Sequence, residues 1–120
     1  MIVGLDHMQL ALPAGAEDQM RAFYCGLLGM VEIPKPSTLK GRGGFWARVV
    51  ALECHFGVDP DFRPATKAHP AFIVSDLTAL AKRLEDAGYD VVWDTALPDV
   101  PRFFTSDPVG NRIELIAKDT

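Results

Sequence analysis

Three histidines and two glutamates carry most of the chemistry this sequence offers. His7 lies in an early strand-like stretch, and His69 opens a second one. Glu53 and His55 sit two residues apart in Leu52-Glu53-Cys54-His55-Phe56-Gly57. Glu114 stands in the middle of the closing stretch Arg112-Ile113-Glu114-Leu115-Ile116. Imidazole nitrogens and carboxylate oxygens together form the donor set of divalent metal sites that keep a position open for water or substrate. A carboxylate in the centre of a short strand is a poor core residue and a good ligand.

Strand parity brings these residues to one side. Side chains alternate faces along a strand. Between Ile2 and Leu12, Met8, Leu10 and Leu12 share an apolar face and His7 and Gln9 the other. Leu52, Cys54 and Phe56 likewise separate from Glu53 and His55, Phe72 and Val74 from His69, and Ile113 and Leu115 from Glu114. The chain's only three histidines therefore fall on the faces turned away from the apolar ones, beside the two glutamates.

The elements that position them occur twice. The first series is a strand ending at Leu12, a helix over Glu17 to Leu28 closed by Gly29, and a short strand over Val31 to Ile33. Two strands between Phe45 and Gly57 complete it, meeting near Val49-Ala51. The helix carries Met20, Phe23, Tyr24, Leu27 and Leu28 at helical spacing on one face. Ser37 to Gly44 is polar, basic and glycine-rich, and reads as a loop. Val58 to Lys67 reads as a linker.

The second series is a strand over His69 to Ser75, then a helix capped by Ser75 or Asp76 with Leu77, Leu80, Ala81 and Leu84 on one face and Gly88 at its end. Short strands over Asp90 to Asp94 and Arg102 to Thr105, a turn at Asp107-Pro108-Val109-Gly110-Asn111 and the final strand follow. His7 to Glu53 is 46 positions and His69 to Glu114 is 45, so the two histidine–glutamate pairs repeat in register. The expected fold is α+β: two βαβββ repeats, about 1–58 and 68–120, with sheets curled around a metal-binding cavity and helices outside.

Composition narrows the partners. At 120 residues the chain supports one packed domain. A net charge of −4 gives no basic footprint for nucleic acid. No apolar run approaches the ~20 residues that span a bilayer, and the N-terminus lacks a signal-peptide pattern, so a membrane role is not expected and a cytoplasmic location is. Cys25 and Cys54 form neither a C-x-x-C pair nor a disulfide framework and read as buried thiols.

Together these features resemble the vicinal oxygen chelate superfamily, which holds glyoxalase I, methylmalonyl-CoA epimerase, extradiol dioxygenases and the bleomycin and fosfomycin resistance proteins. The matching segments are Leu5-Asp6-His7-Met8, the Phe23-Tyr24 helix with its Leu28-Gly29-Met30 end, Leu52 to Gly57, His69-Pro70-Ala71-Phe72, and Asp107 to Glu114. The resemblance implies metal ligands at His7, Glu53, His69 and Glu114, with His55 as an alternative fourth ligand or a proton carrier. It implies a divalent ion (Zn, Ni, Fe, Mn or Co) that chelates two neighbouring oxygens of a small substrate and stabilises an enediolate, with Glu53 or Glu114 as base and His55 assisting. Trp46, Arg48, Trp93, Arg102 and Phe104 are expected to line the pocket, an arginine holding a substrate carboxylate. A lyase or isomerase is the first reading; an Fe(II) extradiol-type dioxygenase and a non-catalytic drug-binding resistance protein are the alternatives. A homodimer is expected.

Overall fold

The structure, a computed structural model, describes residues 1–118; the last two residues of the expected second repeat lie outside the described ones. The chain divides into two compact units, the first ending at Arg63 and the second starting at Pro64. Each is a βαβββ module with a four-stranded mixed sheet, so the fold is α+β as expected.

In the first unit the strands are β1 (His7–Leu12), β2 (Val31–Ile33), β3 (Phe45–Val49) and β4 (Leu52–Val58), in the order β1-β4-β3-β2. β1 runs parallel to β4, and β3 is antiparallel to both β2 and β4. Cross-strand partners share a face, and the pairings Leu10↔Phe56, Met8↔Cys54, Phe45↔Phe56 and Ala47↔Cys54 assemble the apolar one. Tyr24 leans on Phe56 with ring centroids 4.7 Å apart, and Phe45 stacks on Phe56 at 4.4 Å, so this face meets the helix. The opposite face carries the pairs His7↔Glu53, Gln9↔His55, Trp46↔His55 and Arg48↔Glu53.

Several local expectations change. The first strand begins at His7 instead of Ile2, because His7 pairs with Glu53 and the hairpin turn lies just beyond Leu52, leaving residues 1–6 without a ladder. The helix is α-helical only over Glu17–Arg21 (α1) and continues as a π-helical turn over Ala22–Leu27, where Leu28 N–H donates to Phe23 O at 3.0 Å. Ser37–Arg42 is a 3₁₀ helix instead of a loop, started by Leu39 N–H on Pro36 O. Two glycines in left-handed conformation, Gly43 and Gly44, lead from it into β3. Gly44 is obligatory, since a Cβ there would sit 2.0 Å from Phe56 O. The hairpin between β3 and β4 turns on Val50-Ala51, and Val50 holds φ at +52°, an unusual setting for a β-branched residue.

The second unit holds β5 (Ala71–Ile73), α2 (Leu77–Asp86), β6 (Val92–Asp94), β7 (Arg102–Ser106) and β8 (Arg112–Ile116), with strand order β5-β8-β7-β6. Asp76 caps α2 by accepting from Ala79 N–H at 3.1 Å, and α2 buries Leu77, Ala81 and Leu84. Phe103, Ile113 and Leu115 form the apolar sheet face. The strand expected from His69 begins only at Ala71. Pro70 has no N–H to donate, so the ladder opens with Glu114 N–H on Pro70 O at 3.0 Å, and His69 stands just outside it.

The Asp107–Asn111 turn is an anchor. Asp107 Oδ1 accepts from the N–H groups of Val109 and Asn111, and Oδ2 accepts from Asn111 Nδ2, each at 3.0 Å. Asn111 Oδ1 accepts from Ala65 N–H, and Arg112 N–H donates to Ala65 O. Both side chains are buried. This sequence motif fixes the start of β8, and so the register of Glu114, by tying it to the segment that leads toward His69.

Candidate metal and proton-transfer site

Both units prepare one histidine in the same way. His7 Nδ1–H donates to Asp6 Oδ2 at 2.8 Å, and His69 Nδ1–H donates to Lys67 O at 2.9 Å. An oxygen on Nδ1 fixes the tautomer and leaves the Nε2 lone pair for another partner, the arrangement that orients a metal-binding imidazole. In the second unit that partner is already in place. His69 Nε2 lies 2.9 Å from Glu114 Oε1. Two acceptors at this distance need a positive charge between them, and either a proton or a metal ion supplies it. Within the second unit, an imidazole nitrogen beside a carboxylate oxygen is a donor pair of the kind that holds a divalent cation.

The two glutamates are held differently. Glu114 is buried, its side chain 7% exposed, and both oxygens are engaged: Oε1 by His69 and Oε2 by Arg102 Nη1–H at 3.2 Å. Arg102 also meets Asp94 at 3.4 Å. Glu53 is 42% exposed, and among the described residues its hydrogen-bond partner is His55, whose Nε2–H donates to Oε1 at 3.1 Å. His55 is itself clamped. Its ring lies parallel to Trp46 (3.6 Å, 2°) and stacks on His7 (4.1 Å, 22°). Trp46, His55 and His7 therefore form one three-ring stack on the sheet face that also carries Glu53.

The expected pocket residues divide. Trp46 joins the stack. Phe104 pairs with Glu114 across the strands, meets His69 edge-on at 5.3 Å, and lies under Arg112, whose guanidinium is 3.9 Å from the ring centroid. Arg112 was not singled out by sequence; its alternation with Glu114 along β8 is the signal that could have found it. Arg102 reaches this face but spends its charge on Glu114 and Asp94 instead of a substrate carboxylate. Trp93 borders a cavity of about 360 Å³ with Phe104, yet its ring packs on Phe103, on the opposite face from Phe104 and Glu114. Arg48 is exposed beside Glu53 in the register.

Among the described residues no cluster of three or more His, Cys, Asp or Glu stands ready-made for a metal ion, and no helix is long and apolar enough to cross a membrane. The cysteines stay out of the chemistry: burial pushes the Cys54 thiol up to about 11, and burial also raises Cys25.

No family model matches the chain, and no curated protein matches it. Solved structures do. A glyoxalase family protein from Bacillus anthracis is 48% identical over 99% of this chain and 98% of its own, with a TM-score of 0.93. The fosfomycin resistance protein FosX from Listeria monocytogenes, solved in complex with Mn(II) and sulfate, is 19% identical over 99% of this chain and 95% of its own, with a TM-score of 0.75. FosX from Mesorhizobium loti is 16% identical over the same shares, also at 0.75. The FosX likenesses carry the fold.

Proposed function

The chain belongs to the glyoxalase family of the vicinal oxygen chelate superfamily, and from this premise we propose that it is a metal-dependent enzyme of the lyase or isomerase type. Its substrate is a small molecule with two neighbouring oxygens, and its ligands are His7, Glu53, His69 and Glu114. A bound divalent ion supplies Lewis acidity toward a carbonyl oxygen and its neighbour. The Mn(II) in the Listeria FosX structure is in keeping with such an ion.

The observation that carries the reading is the contrast between the two glutamates. Glu114, buried and held at both oxygens, stays put and serves as an anchor. Glu53 is partly open, has His55 as its partner among the described residues, and can swing to take a proton from the carbon next to a carbonyl. His55 hydrogen-bonds Glu53 and is fixed by the rings on its two sides, so it orients the carboxylate and can pass its proton on.

The test is hydrogen exchange. Protein loaded with Mn(II) is incubated in D₂O with short 2-hydroxyketones and 2-hydroxyaldehydes, and loss of the proton beside the carbonyl is followed by NMR. Catalysed exchange that falls about 100-fold or more in Glu53→Gln is expected. Exchange that is equal with and without metal, or unaffected by Glu53→Gln, contradicts the reading. The same protein is proposed to act as a homodimer, and a monomer mass in light scattering removes that part.

A further inference from the structure

The chain is acidic overall, but its charges are unevenly placed. Between Glu32 and Glu53 there is no carboxylate, while Lys35, Lys40, Arg42 and Arg48 all fall there, four of the twelve basic residues. Two of the four, Lys35 and Arg42, border a cavity of about 470 Å³ in the first unit, whose other walls include His7, Gln9, Trp46 and His55. This volume suits a small molecule. No aspartate or glutamate borders it. The acids that touch its walls are already engaged: Asp6 accepts from His7, Glu53 from His55, and Glu17 from backbone N–H groups, Oε1 from Gly15 and Oε2 from Gly44.

The cations are placed. Lys35 Nζ donates to Gly43 O, which sets the ammonium at the cavity wall and leaves two of its three N–H donors. Arg42 ends the 3₁₀ helix directly before Gly43 and Gly44, a junction fixed by Glu17 and by the tight approach of Gly44 to Phe56 O. Arg42 has no hydrogen bond or ion pair among the described residues, so its whole guanidinium fork is available. Gln9 adds an amide: a Cβ at residue 57 would fall 2.3 Å from Gln9 Nε2, so Gly57 makes the room in which that amide sits. A cationic wall, an amide and a ring stack that ends in His7 describe a site for an anion attached to something chelating.

We propose that the first-unit cavity holds an oxyanion of the substrate, a phosphonate, phosphate or carboxylate, with Arg42 and Lys35 as its counter-charges. The substrate is then a small acid whose two chelating oxygens lie at the His7 end and whose anionic group lies at the 3₁₀ helix. This rests on the function proposed above for its chelating half alone; the charged half stands on the cavity.

The probes are pyruvate, which has two neighbouring oxygens and no distal anion, 3-phosphonopyruvate, which has both, and methylphosphonate, which has the anion alone. Trp93→Phe leaves Trp46 as the single tryptophan, so its emission reports on the cavity. Titrations run on the metal-free and the Mn(II)-loaded protein. Arg42→Ala, at an exposed position, should weaken 3-phosphonopyruvate and methylphosphonate about tenfold, the weight of one charge-assisted contact, and leave pyruvate unchanged. Lys35→Ala with Arg42→Ala should remove the advantage of phosphonopyruvate over pyruvate. Unchanged phosphonate affinity in that double variant overturns the inference, even where Mn(II) still promotes pyruvate binding. Arg42-dependent phosphonate binding with no response of pyruvate to Mn(II) upholds the inference and removes the metal-dependent reading instead.

Discussion

His69 Nε2 stands 2.9 Å from Glu114 Oε1 across 45 residues of chain. The pair is joined by two devices that are purely structural. The Asp107–Asn111 turn binds the backbone of Ala65, and Pro70 O receives the N–H of Glu114. The imidazole and the carboxylate are thus both carried on backbone anchored by hydrogen bonds.

Arg102 stabilises this arrangement from the far side. It bridges Glu114 and Asp94, with its side chain only 17% exposed. Removing it strands a buried carboxylate, so Arg102→Ala should lower stability by about 2–4 kcal/mol. Arg102→Lys should recover only part, since an ammonium cannot span two carboxylates as a planar fork does. Urea denaturation of the three proteins checks this. A loss within error for Arg102→Ala would show that Glu114 does not depend on it.

The β3–β4 hairpin carries a removable strain. Val50 is 94% exposed, contributes no packing, and holds a left-handed φ. Asparagine suits that conformation. Val50→Asn should raise stability by about 1 kcal/mol, seen as a higher urea midpoint with an unchanged slope. A lower midpoint would contradict the turn geometry.

Glu17 makes the base of the 3₁₀ helix pH-sensitive. The N–H of Gly44, foremost, with those of Glu17 itself and Gly15, holds its carboxyl below the ordinary glutamate value of 4.5. A folded value below the unfolded one means that the contribution is present above pH 4.5 and fades as pH falls through the lower folded value. Wild type should exceed Glu17→Gln in stability at neutral pH, and the gap should close in acid. A gap that widens in acid would reverse the sign and refute this role of Glu17.

Much of this was legible in the sequence because it rests on period and parity. The faces of His7, Glu53, His55 and Glu114 followed from alternation with Leu10, Cys54, Phe56, Ile113 and Leu115, and the ladders bear those assignments out. What alternation cannot see is where hydrogen bonding stops. The first strand loses its partner above Leu52, and Pro70 keeps His69 off the ladder. The 3₁₀ helix has no apolar period to announce it, and the π-turn keeps a helical pattern while changing its bonds. Trp93 was placed by residue type, not by pairing, and its pairing with Phe103 puts it on the other face. The Asp107–Asn111 motif stood out in the sequence, but its role as an anchor depends on Ala65, 46 residues away from Asn111.

The central proposal is that the protein binds a divalent cation, with His7, Glu53, His69 and Glu114 as its ligands. Calorimetric titration of metal-free protein with Mn(II) tests it most directly. Wild type should bind one ion per chain, His7→Ala and His69→Ala should weaken that binding by about 10-fold or more, and Glu114→Ala should abolish it. Equal Mn(II) affinity in wild type and Glu114→Ala would contradict the account.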